Sequence, residues 1–392
     1  MATVVTPALA QALSACGDQL YTSGDLVIAS PDHPVRWPVS TRHQPVEAGL
    51  APEPGSTLRL YNYADYLGPG VLKTFEEKYD VEVVVSTFND TDEALTKIAT
   101  GSIGYDVYFP SYDQIGKMVT ADLLRPLTPS YLPNVKHLWP QFQDPWYDLG
   151  RQYSVPYTVY TTGIGWRTDL VDEDIATLDN PYDVFWDSRN AGNCAVIDDW
   201  HTTMAMVLLR SGIQDVNTAK ASDLELVRKQ LHDLQRATNP RVTITMYNDL
   251  PAGQYGIASM WSGDVVNAQY YLPKRTSPDV LRYWFPPDGR GLVDNDLMVL
   301  LGSGRNPVAA HHFINYLLDP AVATRNFGFT GYQPPQRSVD PRLLVSDQYV
   351  PANLETAAVR PRDFTVGRRL LELEPVVDAE WHAIWQEYKA NG

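Results

Sequence analysis

Basic residues are scarce in this chain. Against 47 Asp and Glu it carries 31 Lys and Arg, a formal charge of −16 over 392 residues. Nothing resembles a basic face that could neutralise phosphates, which argues against nucleic acid as a partner. Cysteine is scarcer still. Cys16 and Cys194 can make one disulfide at most, so disulfides do not build the fold. The eight histidines are scattered. His311 and His312 are adjacent on a helical stretch and face different directions, which does not make a metal pair. His-Glu-x-x-His, the Gly-x-Ser-x-Gly nucleophile elbow and the P-loop are all missing. No metal, cofactor or catalytic residue is therefore expected. No apolar run is long enough to span a membrane, and internal repeats and low-complexity tracts are absent.

What is present is core and aromatic surface. The length suffices for two domains or one two-lobed unit, and 44% hydrophobic residues supply core for either. Ten Trp and 23 Tyr are many; most belong to core, but the surplus also suits a stacking pocket. The acidic charge suits attraction of a cation, although such charge more often serves solubility. The stretch 58–113 organises the rest. Leu58 and Leu60 begin a strand that runs into Tyr61-Asn62-Tyr63-Ala64-Asp65-Tyr66 and stops at the breakers Gly68-Pro69-Gly70. Val71, Leu72, Phe75 and Tyr79 follow helical spacing, and Asp80 closes that helix. Residues 81–85 form a β-branched second strand. Thr91 is placed to N-cap a helix over 92–100, with Asp92 and Glu93 in its first turn and Gly101 beyond its end. Residues 105–109 are the third strand, leading to Pro110-Ser111-Tyr112-Asp113. In a parallel sheet with helical crossovers, the loops leaving the carboxyl ends of the strands share one edge, and ligands bind there. Tyr63, Asp65 and Tyr66 thus come together with Ser111, Tyr112 and Asp113 around one crevice.

Further along, Pro126, Pro129, Pro133, Pro140 and Pro145 forbid long helices, and 158–163 is read as the first crossing between lobes. Residues 180–187 predict a short helix capped by Asn180 with Pro181 at its first position. The second half repeats the logic of the first. A strand at 194–197 ends in Asp198-Asp199-Trp200, and one at 257–260 ends in Trp261-Ser262-Gly263-Asp264 before a helix at 265–272. The helix over 222–235 is amphipathic through Leu224, Val227, Leu231 and Leu234. The strand 296–301 crosses back, with Asp294 and Asp296 at the crossing, and a turn at 328–333 brings Tyr332 to the crevice. An amphipathic helix at 376–388 ends the chain.

At the other end, Leu13-Ser14-Ala15-Cys16 has the pattern of a bacterial lipobox, in which the cysteine is lipidated and becomes the mature N-terminus. The small apolar residues before it suit the end of an export signal, without its positive n-region. Residues 17–56, rich in Pro, Ser, Asp and Gly, read as an extended tether.

Six phrases recur in order and spacing: Leu60-Tyr61-Asn62-Tyr63…Tyr66, Tyr105-Asp106-Val107…Pro110-Ser111, Ser154-Val155-Pro156-Tyr157, Ile197-Asp198-Asp199, Met260-Trp261-Ser262-Gly263 and Gly331-Tyr332. Together they resemble the polyamine-binding proteins of bacterial ABC importers, the spermidine/putrescine group of extracellular solute receptors. The resemblance covers about 58–390. It implies an α/β, two-lobe periplasmic-binding-protein fold (type II-like) that closes on its ligand by hinge motion. Residues 57–160 with 293–335 would form lobe 1, and 161–292 with 336–392 lobe 2. It implies a monomer outside the cytoplasm, in the periplasm or at the cell surface, delivering putrescine or spermidine to an ABC permease. Membrane contact would come only through a lipid at Cys16.

Carried over residue by residue, Tyr63 stands where the family has a pocket Trp, Tyr66 matches a pocket Tyr, and Ser111 a polar contact. Asp199, Trp261, Asp296 and Tyr332 match the carboxylates and rings that hold the amines and methylenes. Three positions depart: Asp113 replaces a Tyr, Thr202 a second carboxylate beside Asp199, and Asp294 a pocket Trp. The expected ligand set is therefore Tyr63, Tyr66, Ser111, Asp113, Asp199, Trp261, Asp294, Asp296 and Tyr332. The chemistry agrees, since carboxylates give an alkylammonium charge-assisted hydrogen bonds and aromatic faces give apolar contact and cation–π attraction.

Plainer roles compete. Asp199 and Asp264 could cap the helices that follow them, capping being the better reading for Asp264, and Asp294 and Asp296 could belong to a solvated hinge loop. Other ligands compete too. The same fold could bind an opine or amino-acid derivative, with Arg151, Arg167 or Arg337 as its basic partner. A hydrolase could use Asp199 with Asp296 as a carboxylate pair. The adjacent Tyr270 and Tyr271 match a feature of ferric-iron receptors, but they fall inside the helix expected at 265–272, and iron is not expected.

Overall fold

In the computed structural model residues 26–391 are described, apart from 90, 102 and 103. Cys16 lies outside the described residues. β1 (Ser56–Tyr63) lies between β2 (Val81–Phe88) and β3 (Val107–Tyr108) and is parallel to both. The crossover helix Pro69–Tyr79 starts with proline, whose fixed φ suits the first turn, and ends at Asp80 in the left-handed conformation (φ 52°). The next helix, Thr91–Ala99, begins at Thr91 itself, so Thr91 is its first residue rather than the cap before it.

Two strands serve both halves of the molecule. β10 (Leu292–Leu301) runs antiparallel to β3, to β4 (Leu124–Arg125) and to the first part of β5 (Ser154–Arg167). The second part of β5 pairs antiparallel with β8 (Ile257–Trp261) and β9 (Leu281–Trp284), and β6 (Cys194–Ile197) lies parallel to β8 and β7 (Arg241–Thr243). Asp294 and Asp296 are thus ladder residues of a crossing strand, 5% exposed, and not part of a solvated loop.

Side-chain alternation along the strands divides the core. Leu58, Leu60, Met298 and Leu300 face one apolar cluster, while Tyr61, Leu297, Val299 and Leu301 face another on the opposite side of the sheet. Beyond the crossing strands the pattern repeats: Cys194, Val196, Ile164 and Trp166 face one cluster, Ala195, Ile197, Ala258 and Met260 the other. The ten strands form one continuous sheet, in the order β2-β1-β3-β10-β5-β8-β6-β7 with β4 on β10 and β9 on β5, and it is covered on both faces in each half. The helix Pro375–Ala390 seals the second lobe with Trp381, Ile384, Trp385 and Tyr388.

The proline-rich excursion folds as short 3-10 turns, Pro129–Tyr131, Pro133–His137 and Pro140–Phe142, as the missing N–H groups require. Pro181–Trp186 is also 3-10. Asn180 precedes it but does not cap it; its amide instead donates to the Arg210 carbonyl at 2.9 Å. Residues 26–55 lack helix and strand, yet they lie against the first lobe. Trp37 is 3% exposed and its indole donates to the Tyr147 carbonyl at 2.8 Å; the Tyr131 hydroxyl donates to the Glu47 carbonyl at 2.6 Å.

Candidate functional site

The parallel strands of both lobes point their carboxyl ends at a common cleft. Tyr63 ends β1, and Asp65 (φ 55°) turns the chain so that Tyr66 points back inward. Ser111, after β3, pairs by its backbone with Asp296 of β10. From the second lobe come Asp199 after β6 and Trp261 at the end of β8. Gly331, left-handed at φ 74°, ends the helix Pro320–Thr330 and delivers Tyr332. The cleft has an outer chamber of about 170 Å³ and an inner one of about 70 Å³, with Tyr63, Tyr160, Asp199 and Trp261 on the wall of both. All nine residues expected from the sequence border these chambers: Tyr66, Asp296 and Tyr332 the outer, Ser111, Asp113 and Asp294 the inner, and Tyr63, Asp199 and Trp261 both.

Five rings form a collar around the outer chamber. Tyr66 meets Tyr63 and Tyr332 edge to face, at centroid separations of 5.8 and 4.8 Å, and Tyr160 meets Tyr332 and Trp261 at 5.8 and 6.3 Å. The hydroxyls of Tyr66, Tyr160 and Tyr332 are spent on carboxylates. Asp296 accepts from Tyr66 at 2.6 Å and Tyr160 at 3.2 Å, while Tyr66 also bonds the Thr158 hydroxyl. Asp264 accepts from Tyr332 at 2.7 Å through Oδ1, and its buried Oδ2 has no hydrogen-bond partner. Burial pushes both carboxyls up to about 7. Neither takes part in an ion pair among the described residues, so their negative charge is met by phenols alone.

Three acids of the inner chamber are provided for. Asp199 is the N-cap of the helix Trp200–Arg210, accepting from the Thr202 amide at 2.7 Å; burial raises its carboxyl to about 6 against that bond. Asp294 accepts from Tyr112 at 3.0 Å and lies 3.8 Å from Arg369; burial still raises it to about 7. Asp113 is raised by burial and opposed by Ser111 and by the charge of Lys117.

Asp264 departs from its sequence reading. It stands in the first turn of the helix Ser262–Ala268, whose cap position is Trp261, and so lies three residues along the same face and points into the cleft. Tyr160 carried no signal, because it sits in mid-strand opposite Asp294 and belongs to no motif. The link from Asp65 to the Tyr247 hydroxyl across the cleft mouth, at 3.1 Å, is likewise invisible locally. The helix Ser262–Ala268 stops short of Tyr270 and Tyr271; Tyr270 is 57% exposed and Tyr271 packs on Tyr247. Arg151, Arg167 and Arg337 border neither chamber; Arg167 is held by Asp169 at 2.6 Å. Among the described residues no group of His, Cys, Asp or Glu could hold a metal, and no helix is long and apolar enough to cross a membrane.

Residues 70–354 match the family described as bacterial extracellular solute-binding protein. The chain is 26% identical to the putrescine-binding periplasmic protein PotF of Escherichia coli K12 over 360 residues, 88% of this chain and 95% of that one. It is 26% identical to the spermidine/putrescine-binding periplasmic protein of the same organism over 294 residues, 75% and 81% of the two chains. Among solved structures, the spermidine/putrescine substrate-binding protein PotD of Streptococcus pneumoniae superposes with a TM-score of 0.68 at 24% identity, covering 86% of this chain and 99% of that one.

Proposed function

The chain belongs to the bacterial extracellular solute-binding proteins, and we propose that within them it captures a small polyamine between its lobes and hands it to an ABC permease. One observation carries the reading. Asp264 and Asp296, both at least 95% buried, face one aromatic-walled chamber and have only phenols for company. An alkylammonium supplies the missing positive charge, and its methylenes fit against the ring collar. The relatives that bind putrescine and spermidine support the same ligand class.

Capture is mechanical. β5 and β10 join the lobes, and closure brings side chains of one lobe onto the other: Asp65 with Tyr247 at 3.1 Å, Asp92 with His382 at 3.5 Å, Lys117 with Asp378 at 3.4 Å. Ligand bridging Asp296 on the crossing strand and Asp264 on the second lobe favours the closed form, which the permease would read. Turnover is not part of this reading: Asp199 is engaged as a helix cap and supplies no free acid to pair with Asp296. The lobe boundaries drawn from the sequence, residues 57–160 with 293–335 and 161–292 with 336–392, are kept as part of the proposal. So are a monomeric state and lipidation at Cys16, which mass spectrometry of the membrane fraction tests.

The deciding experiment is calorimetric titration with putrescine, spermidine and spermine. Saturable binding of at least one, abolished in Asp296→Asn and Trp261→Ala, is the expected result. Silence from all three with a folded wild-type protein rules the polyamine reading out.

A further inference from the structure

The cleft is unevenly charged, and the unevenness is built by one arginine from the far end of the chain. Arg368 makes a parallel bridge with Leu292, which lays the segment after it along β10. Asn217 clamps that segment from both sides, its amide donating to the Arg369 carbonyl at 2.9 Å and its oxygen accepting from the Leu371 N–H at 2.7 Å. The Arg369 guanidinium is thereby held inside the protein, its side chain 10% exposed. It stacks on the Tyr112 ring at 4.0 Å and lies 4.9 Å from Phe364, donates to Asn295 at 2.6 Å, and stands 3.8 Å from the Asp294 carboxylate. Asp294 borders the inner chamber, whereas Arg369 stands behind it and does not.

Lys117 borders the same chamber, 3.7 Å from Glu372 and 3.4 Å from Asp378, and its charge reaches Asp113. The third inner acid, Asp199, is served by a helix N-terminus. Asp113, Asp199 and Asp294 thus each have a positive counterpart belonging to the chain, and the fourth acid of the inner chamber, Asp92, lies 3.5 Å from the His382 imidazole. Among the acids on the outer chamber, the buried Asp264 and Asp296 have no ion pair among the described residues, while Asp198 is paired with Lys389 at 2.8 Å. An ammonium group placed in the outer chamber finds these two carboxylates without an ion pair, the Lys389 ammonium on its wall being held by Asp198, whereas one pushed inward meets the Lys117 ammonium and an Asp294 that Arg369 already compensates from behind the wall.

We propose that Arg369 is a specificity-determining residue which, by neutralising Asp294 from within, makes the cleft select α,ω-alkyl diamines over triamines and tetraamines. The inference rests on the polyamine reading and narrows it. A diamine spends both charges on Asp264 and Asp296. A triamine must place its third charge beside Lys117 and against an Asp294 that Arg369 already neutralises.

The test is calorimetric titration of wild type, Arg369→Gln and Arg369→Lys with putrescine, cadaverine and spermidine. The wild type is expected to prefer putrescine or cadaverine over spermidine by tenfold or more. Arg369→Gln frees Asp294 and should raise the affinity for spermidine relative to putrescine at least tenfold, while Arg369→Lys keeps the wild-type order. Putrescine binding in the wild type with spermidine equal or tighter overturns this proposal and leaves the polyamine reading standing. So does an unchanged ratio in a folded Arg369→Gln protein. Absence of binding by all three to the wild type overturns the polyamine reading and this proposal with it. The wild-type ranking decides the question even where Arg369→Gln does not fold.

Discussion

Replacing Asp264 with asparagine keeps the shape of the side chain and removes its charge, so the two states of the protein should respond in opposite directions. In the liganded state an ammonium loses a charge-assisted hydrogen bond to a buried carboxylate. Such bonds contribute about 1.5–3 kcal/mol, and a buried charge left without its partner costs about 3–5 kcal/mol. Taking about 3 kcal/mol, putrescine affinity should fall roughly a hundredfold, at 1.4 kcal/mol per factor of ten. In the ligand-free state Oδ2 is buried with no partner, and removing its charge relieves a desolvation cost. The bond from Tyr332 survives, because the amide oxygen still accepts. The ligand-free variant should therefore melt at or above the wild-type temperature at pH 8. Calorimetric titration measures the first effect and a thermal melt the second. A dissociation constant within threefold of wild type would refute Asp264 as a ligand acid. A ligand-free melting temperature several degrees lower would show that the carboxylate is structural.

Burial holds Asp264 and Asp296 up to about 7 from 3.8. Their folded-state values lie above the unfolded ones, so the stability they contribute is complete below pH 3.8 and is lost as pH rises through about 7. Ligand binds the ionised form; affinity should therefore weaken from pH 8 to 5.5, and the ligand-induced rise in melting temperature should be larger at pH 8, a trend whose reversal would contradict the assignment. Gly263→Ala places a methyl carbon 2.6 Å from Cδ1 of Tyr332, which displaces the ring from Asp264; titration should show affinity falling roughly tenfold or more, the equivalent of one lost contact of about 1.4 kcal/mol. Trp37→Ala empties a buried site on the first lobe and should cost about 3–5 kcal/mol in chemical denaturation. It should also expose the segment before β1 to protease, with putrescine affinity unchanged.

The strands and their helical crossovers were legible because their causes are local. Leu58 and Leu60 alternate with Tyr61 across a pleat, Gly68-Pro69 stops one element and starts the next, and Leu224, Val227, Leu231 and Leu234 repeat at helical spacing and are all buried. From strand ends alone it followed that Tyr63, Ser111, Asp199 and Trp261 would share a cleft, since parallel strands leave their carboxyl ends on one edge. Local reading misjudged residues whose partners are distant. Asp264 has the composition of a cap, but the cap position fell one turn earlier, at Trp261, and left the carboxylate free to turn inward. Trp37 sits in an irregular stretch with no periodicity, and its burial depends on Tyr147, which approaches only once the lobe is built.

By itself, then, the sequence determined the α/β architecture, the excess of acid and the edge on which the site would form, all of which depend on spacing, composition and chain order. Which acids keep their charge for a ligand was decided only by tertiary structure. Asp294 and Asp296 are two residues apart on one face of one strand, and no local rule separates them. Arg369 comes to stand beside the first, while the second meets only Tyr66 and Tyr160. Charge compensation depends on distance in space, and chain order does not carry it.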